Sequence, residues 1–328
     1  MTNRWRQRRQ TGLAGCLSAL VFHTLLLSDA NIVMAKNPLS VTVEAGRVAI
    51  RTNDQLMLTY HYGNVPYKPY IKQWRSPSGI NILRDAPHDH LHHHGLMFAL
   101  MVDGVDFWGE VNSKTPGLEA HRGLTDVQVD GRHGMNRAAF TEDLDWTTPA
   151  EQKTLLQERR TIEVYQSADL AASLMTWQSE LGLPAGKPSA EISGRHYFGL
   201  GMRFVQSMDL KGYFVNAEGK TGHDGTNDMQ SKWCAYTATA NRKPVTVALF
   251  DHPDNLRHPA RWFTMLDPFS YISATLDVHR KSITLKQGET LQLRYGLALW
   301  DGRVEPQQID QLYRRWLSLM PTASRPGT

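Results

Sequence analysis

The sequence predicts an all-β protein, a large antiparallel β-sandwich carrying one C-terminal helix. Three observations point there: short alternating apolar and polar runs recur through most of the chain, turn residues separate them, and only one segment has helical spacing. Leu39–Val43 and Arg47–Arg51 alternate, and Gln55–Tyr62 continues the pattern across the turn residues of 44–46 and 52–54. The same rhythm predicts strands at Thr154–Tyr165, Ser173–Leu181, Tyr197–Val205, Val245–Phe250, Ser282–Leu285 and Leu291–Leu299, with Gly288 turning between the last two. Many short strands with few helical patterns favour two packed sheets. Pro306 suits a first helical position, and Ile309, Leu312, Tyr313, Trp316 and Met320 then fall on one face.

Charge and cysteine content narrow the function. The chain of 328 residues has a formal net charge of +4, but Arg4, Arg6, Arg8 and Arg9 against Asp29 account for +3 of it within the first 35 residues. A body with net charge +1 lacks the basic stripe of a nucleic-acid binder. The arginines, the apolar run Leu17–Leu27 and Val33-Met34-Ala35 form the layout of a secretory signal over residues 1–35, so a periplasmic or secreted destination is expected. Arg8-Arg9 leaves twin-arginine export open, and Leu13–Cys16 resembles a lipoprotein box that precedes the apolar run where it should follow it. That run is about half of the roughly 20 residues needed to span a bilayer, and no membrane span is expected. Cys234 is the one cysteine beyond the leader, so no disulfide framework is expected and an ordinary core must hold the fold. A single domain from 38 to 320 with a frayed tail, 321–328, is the economical organisation.

Histidine is unevenly placed. Five of fourteen lie in His88-Asp-His-Leu-His-His-His94. If extended, His90, His92 and His94 would project from one face at a spacing of roughly 6.5–7 Å. Such a row suits a divalent metal held by His90 and His92, with His121, Asp251 or His252 supplying a further ligand. A metal-free alternative has Asp89 orienting a histidine as acid or base, and a third reading is a polar loop whose histidines bond to one another and to carbonyls. The following segment, Gly95–Glu110, predicts a buried strand and a turn at Asp103-Gly104, after which Trp108 could stack on a sugar and Glu110 could serve as ligand or general acid. A second constellation, Phe250–Trp262, holds Asp251, His252, Arg257, His258 and Trp262 on a loop shaped by two His-Pro pairs. Arg257 suits an anionic or polyhydroxylated ligand. Asn216 and Trp233 are weaker candidates for the same cleft, and Cys234 reads as a small buried hydrophobe.

Asp89-His-Leu-His-His-His-Gly95 with Asp106-Phe-Trp108, then Tyr197–Arg203, Trp233-Cys-Ala-Tyr236 and Phe250-Asp-His-Pro-Asp-Asn255 through Trp262, resemble the bacterial domain family labelled methane-oxygenase PmoA-like. The resemblance runs from about Tyr70 to Asp301-Gly302 and departs at Ala235, where that family has Asp, and at His94, where it has Arg. It implies an exported β-sandwich, of the galactose-mutarotase type, associated with carbohydrate catabolism. On this reading His90, His92, His93, Asp251 and His252 would perform acid/base chemistry on a sugar, as hydrolase, lyase or epimerase. Trp108, Glu110, His121, Arg203, Asn216, Trp233, Arg257, His258 and Trp262 would bind the substrate. The alternatives are a non-catalytic sugar-binding envelope protein and a metal-dependent enzyme.

Overall fold

Residues 38–320 are described by a computed structural model. The expected leader, 1–35, and the expected tail, 321–328, lie outside the described residues. Three sheets form, and every ladder between strands is antiparallel. The first has eight strands in the order Leu39–Glu44, Arg47–Thr52, Gln55–His61, Tyr70–Trp74, Leu96–Ala99, Gly199–Arg203, Tyr271–Thr275 and Arg261–Met265. The second runs Tyr213–Asn216, Trp233–Ala240, Lys243–Asp251, Leu291–Asp301, Ala172–Gly182, Thr154–Gln166, Met135–Thr147 and Leu118–Arg132. A small third sheet pairs Ile283–Lys286, Ser189–Ser193, Met101–Val102 and Val105–Asp106. The all-β sandwich with a C-terminal helix is therefore the observed architecture.

The inward faces of the two large sheets build one core. Tyr60 of the first sheet meets Phe140 and Trp177 of the second at ring-centroid distances of 5.1 and 6.4 Å. A second apolar cluster lies on the other face of the second sheet, where the helix Pro306–Leu319 covers Trp233, Phe250 and Trp300 with Ile309, Tyr313 and Trp316. Pro306 begins this helix as its spacing requires, and the Gln308 side chain accepts a hydrogen bond from the Glu305 amide. No described helix is long and apolar enough to cross a membrane. Cys234 is fully buried, and burial pushes its thiol well above the usual range.

The core also holds charge. Arg160, fully buried, donates to Glu119 (2.9 Å), to both oxygens of Glu158 (2.9 and 2.7 Å) and to the Tyr60 hydroxyl (3.1 Å). Tyr60 in turn donates to Glu142, which also bonds His121 Nδ1 at 2.7 Å. Removing one member leaves the others desolvated and unpaired. Arg160→Ala is expected to lower unfolding stability by about 3–5 kcal/mol in denaturant titration, and a loss within the error of the titration would show that water or rearrangement replaces the guanidinium.

Candidate functional site

Between Tyr70–Trp74 and Leu96–Ala99 the chain makes a tight loop that carries the histidine cluster. It is built of turns, and this corrects the expectation of a row with alternate side chains. His90 N donates to the Pro87 carbonyl (2.9 Å) and His93 N to the His90 carbonyl (3.0 Å), while Ala86 N to His93 O (2.8 Å) closes the loop at its base. Period-two projection holds only in a strand. Here His90, His92 and His93 gather on one side, and His94 turns inward away from them.

The three gathered histidines line a cavity of about 700 Å³. Trp108 and Phe198 stack in its wall at 5.1 Å and 12°, and Tyr197, Phe263, Phe269 and Tyr271 continue the aromatic surface. Asn112, Lys114, Arg195 and His196 are exposed residues that also line it. Its parts come from the histidine loop, the turn after the Val105–Asp106 strand, and the adjacent strands at one edge of the first sheet. Gly201 makes room for Tyr271, since a Cβ there would sit 2.2 Å from the phenol oxygen.

Hydrogen bonds set the imidazoles. His90 Nδ1 lies 3.1 Å from Asp89 Oδ2, a carboxylate that can only accept, so Nδ1 carries the proton and Nε2 is left as the acceptor. Arg203 Nη2 donates to the same oxygen at 3.1 Å, and the guanidinium lies 3.4 Å from the centre of the Phe269 ring. Partial burial raises the Asp89 carboxyl, but the His90 bond and the Arg203 charge outweigh it and bring it down to about 2. His92 Nδ1 accepts from the Asn112 amide nitrogen (2.9 Å), leaving Nε2–H as a donor; burial and the Lys68 charge lower its pKa to about 4. His93 is buried beside His90 (4.6 Å) and Tyr271 (5.4 Å), and burial with the neighbouring imidazoles lowers its pKa to about 2. Its Nδ1, the Trp108 Nε1 and the Tyr271 hydroxyl are buried without a hydrogen-bond partner among the described residues.

Behind this wall lies a buried ionic chain. Glu110 pairs with Lys68 and receives His94 Nε2 at 3.3 Å; His94 Nδ1 reaches Asp85 at 2.8 Å, and Asp85 also accepts from Tyr70 at 3.0 Å. Glu110 is only 3% exposed and does not line the cavity, which corrects its expected place on the substrate. Burial lowers the His94 pKa, but bonds to Asp85 and Glu110 outweigh it, and the net shift is upward. Burial likewise raises Asp85 and Glu110, but the same bonds with Lys72 and Lys68 bring both down, Asp85 to about 2.

The second constellation does not reach the cavity. Asp251, at the end of a strand of the second sheet, accepts from His258 Nδ1 (2.6 Å), Ala260 N (2.8 Å) and Asn255 Nδ2 (2.7 Å), so its own loop uses its oxygens. His252 packs on Trp316 at 5.6 Å and accepts from Asp254 N, while Arg257 ties down the carbonyls of Leu276 and Ser282. Trp233 bonds Asp310 of the C-terminal helix, Asn216 shapes its own turn through Lys220 N, and His121 lies with Glu142 and Tyr62. Trp262 lines a separate hollow of about 320 Å³ that shares His196 and Phe263 with the main cavity. The donor set does not fit the expected metal either. No group of three or more His, Cys, Asp or Glu is placed to hold an ion among the described residues.

Residues 47–314 match the model of a family described as a family of unknown function, DUF6807. The chain belongs to that family. No PmoA family matches, so the methane-oxygenase resemblance is corrected: the histidine-loop and tryptophan motifs quoted for it lie within a DUF6807 domain. No curated protein matches the chain. Among solved structures, the chain is similar to an α-galactosidase from Lactobacillus brevis (8% identity, TM-score 0.47, 85% of this chain and 42% of that one). It is also similar to the GH36 α-galactosidase AgaB from Geobacillus stearothermophilus (8%, 0.45, 80% and 41%) and to the galactosidase domain of the α-galactosidase–sucrose kinase AgaSK (10%, 0.45, 81% and 41%). The DUF6807 chain thus spans about two fifths of the length of these structures, and likenesses this loose fix neither a site nor a reaction.

The ionic chain has a pH signature. The raised His94 contributes stability that is present below its ordinary value of 6.5 and is lost as pH rises through the shifted value. The lowered Asp85 and Glu110 contribute stability present above their ordinary values, 3.8 and 4.5, and lost as pH falls toward the shifted ones. His94→Gln is expected to lower the melting temperature most between about pH 4.5 and 6.5, with the difference from wild type shrinking at higher pH. An unchanged difference up to pH 9 would rule out a charged His94 in the native chain.

Proposed function

We propose that this DUF6807 protein is an exported carbohydrate-active enzyme whose chemistry is proton transfer in the histidine cavity. The observation that carries the reading is the opposite fixing of two neighbouring imidazoles. His90 offers an acceptor at Nε2, His92 offers a donor at Nε2, and their ring centres are 5.6 Å apart. A base beside a hydrogen-bond donor is what abstraction of a proton and stabilisation of the resulting oxyanion require. Asp89 holds His90 in its tautomer, with Arg203 behind it, as the third member of such a pair does.

The surroundings support a sugar. Aromatic faces pack on the apolar faces of a pyranose, the volume lies within the range of small-molecule sites, and the exposed Asn112 and His196 at the wall can supply polar contacts. Of the three reaction types considered, hydrolysis by two carboxylates fits least. Asp106 is the carboxylate among the lining residues, and its Oδ1 accepts from the amides of Trp108 (2.8 Å) and Gly109 (3.0 Å). Lyase or epimerase chemistry, in which a C–H proton is taken by an imidazole, is favoured.

Incubation with candidate sugars in D2O, read by NMR and mass, tests the proposal. Deuterium incorporation or an eliminated product is expected from wild type, a rate about 10²–10⁴-fold lower from His90→Gln, and ligand-induced stabilisation retained within a few fold. Asp89→Asn should fall between them and shift the pH profile. A folded His90→Gln variant working at the wild-type rate sinks the assignment, and stabilisation by a sugar that emerges unchanged would favour a binding protein.

A further inference from the structure

We infer that the sugar is an acidic one, a uronic acid whose carboxylate is received by Lys114 and Arg195; this rests on the proposed proton-transfer reading of the same cavity. Both cations are exposed, both line the cavity, and neither makes an ion pair with a carboxylate among the described residues. The nearby cations behind the wall are matched, Lys68 by Glu110 and Arg203 by Asp89. One carboxylate, Asp106, also lines the cavity, but it is 6% exposed and its Oδ1 accepts two backbone amides, so Lys114 and Arg195 are the exposed charges there. The cavity therefore presents a positive side, at the groups most accessible to an arriving solute.

The chemistry asks for the same group. An imidazole takes a proton from carbon only where the electron pair left behind can spread onto an adjacent carbonyl or carboxyl. In a uronic acid the C–H at the ring carbon bearing the carboxylate is such a bond. Pairing the carboxylate with two cations lowers the cost of adding negative charge to it as that bond breaks. Arg195 can grip a carboxylate with two parallel N–H bonds, and Lys114 supplies a point charge. A neutral hexose offers neither the acidic C–H nor the partner for these cations.

Isothermal titration of the protein with galacturonate and glucuronate oligosaccharides, beside their neutral galactose and glucose counterparts, tests the inference. The acidic series is expected to bind about tenfold or more tightly, with an advantage that shrinks as salt is raised. Lys114→Gln/Arg195→Gln should abolish the advantage, leave binding of neutral sugars unchanged and, both side chains being exposed, leave the melting temperature within about a degree. Lys114→Arg/Arg195→Lys should restore most of it. Equal affinity for the two series, an advantage that survives the double substitution, or a stronger preference for hexose phosphates would overturn the acidic-sugar assignment and leave the sugar reading standing. Binding of no member of either series would overturn both.

Discussion

Glu110 is a carboxylate with almost no access to water, and the arrangement of the site depends on its being matched. Lys68 comes from the approach to the Tyr70 strand, His94 from the end of the histidine loop, and Glu110 from the turn after the Val105–Asp106 strand. Three segments distant in sequence are thus held at one point by charges that cannot be separated without leaving one of them desolvated. Glu110 itself sits at a φ of +50°, an unfavourable value for a residue with a side chain. Two residues that line the cavity, His92 and Asn112, lie two positions from His94 and Glu110 of this junction. They are joined by a 2.9 Å hydrogen bond.

The fold was legible where burial is one-sided. The stretch Leu291–Tyr295 alternates between buried and more exposed residues because one face meets the core there, and the C-terminal helix showed itself through Pro306 and a clean apolar face. The long hairpin of Leu118–Arg132 and Met135–Thr147 left a weak signal for two different reasons. Its first strand is an edge strand, mostly exposed on both faces. Its second, and the Thr154–Gln166 strand beside it, bury charged residues, Glu142 and Arg160 among them, at positions where pattern reading expects apolar ones.

The site was legible only as a local concentration. Five histidines in seven residues mark a place, but the alternation that suggested a metal row presupposes an extended backbone, and Pro87 begins a series of turns instead. The walls opposite come from Arg195–Phe198 and from Phe263 to Tyr271, more than a hundred residues away, and only the strand order of the first sheet brings them near. Arg195-His196-Tyr197-Phe198 was a visible run of polar and aromatic side chains next to a glycine, the one signal that could have been followed. The Asp251 loop misled for the converse reason: its residues have the composition of a site, but its polar groups are spent on one another.

The backbone hydrogen bonds that close the histidine loop carry an entropic consequence. Ala86 N to His93 O, Gly95 N to Arg84 O and the two internal turns leave the backbone of 86–95 few alternatives. Gly95, at a φ of +43° and with the Ile71 carbonyl where a Cβ would stand, seals the far end by exclusion. Conformational freedom that a loop of this length could keep in the folded chain has here been given up during folding. The imidazoles are fixed in advance, and on the proposed reading a sugar entering the cavity would keep more of its contact free energy as affinity.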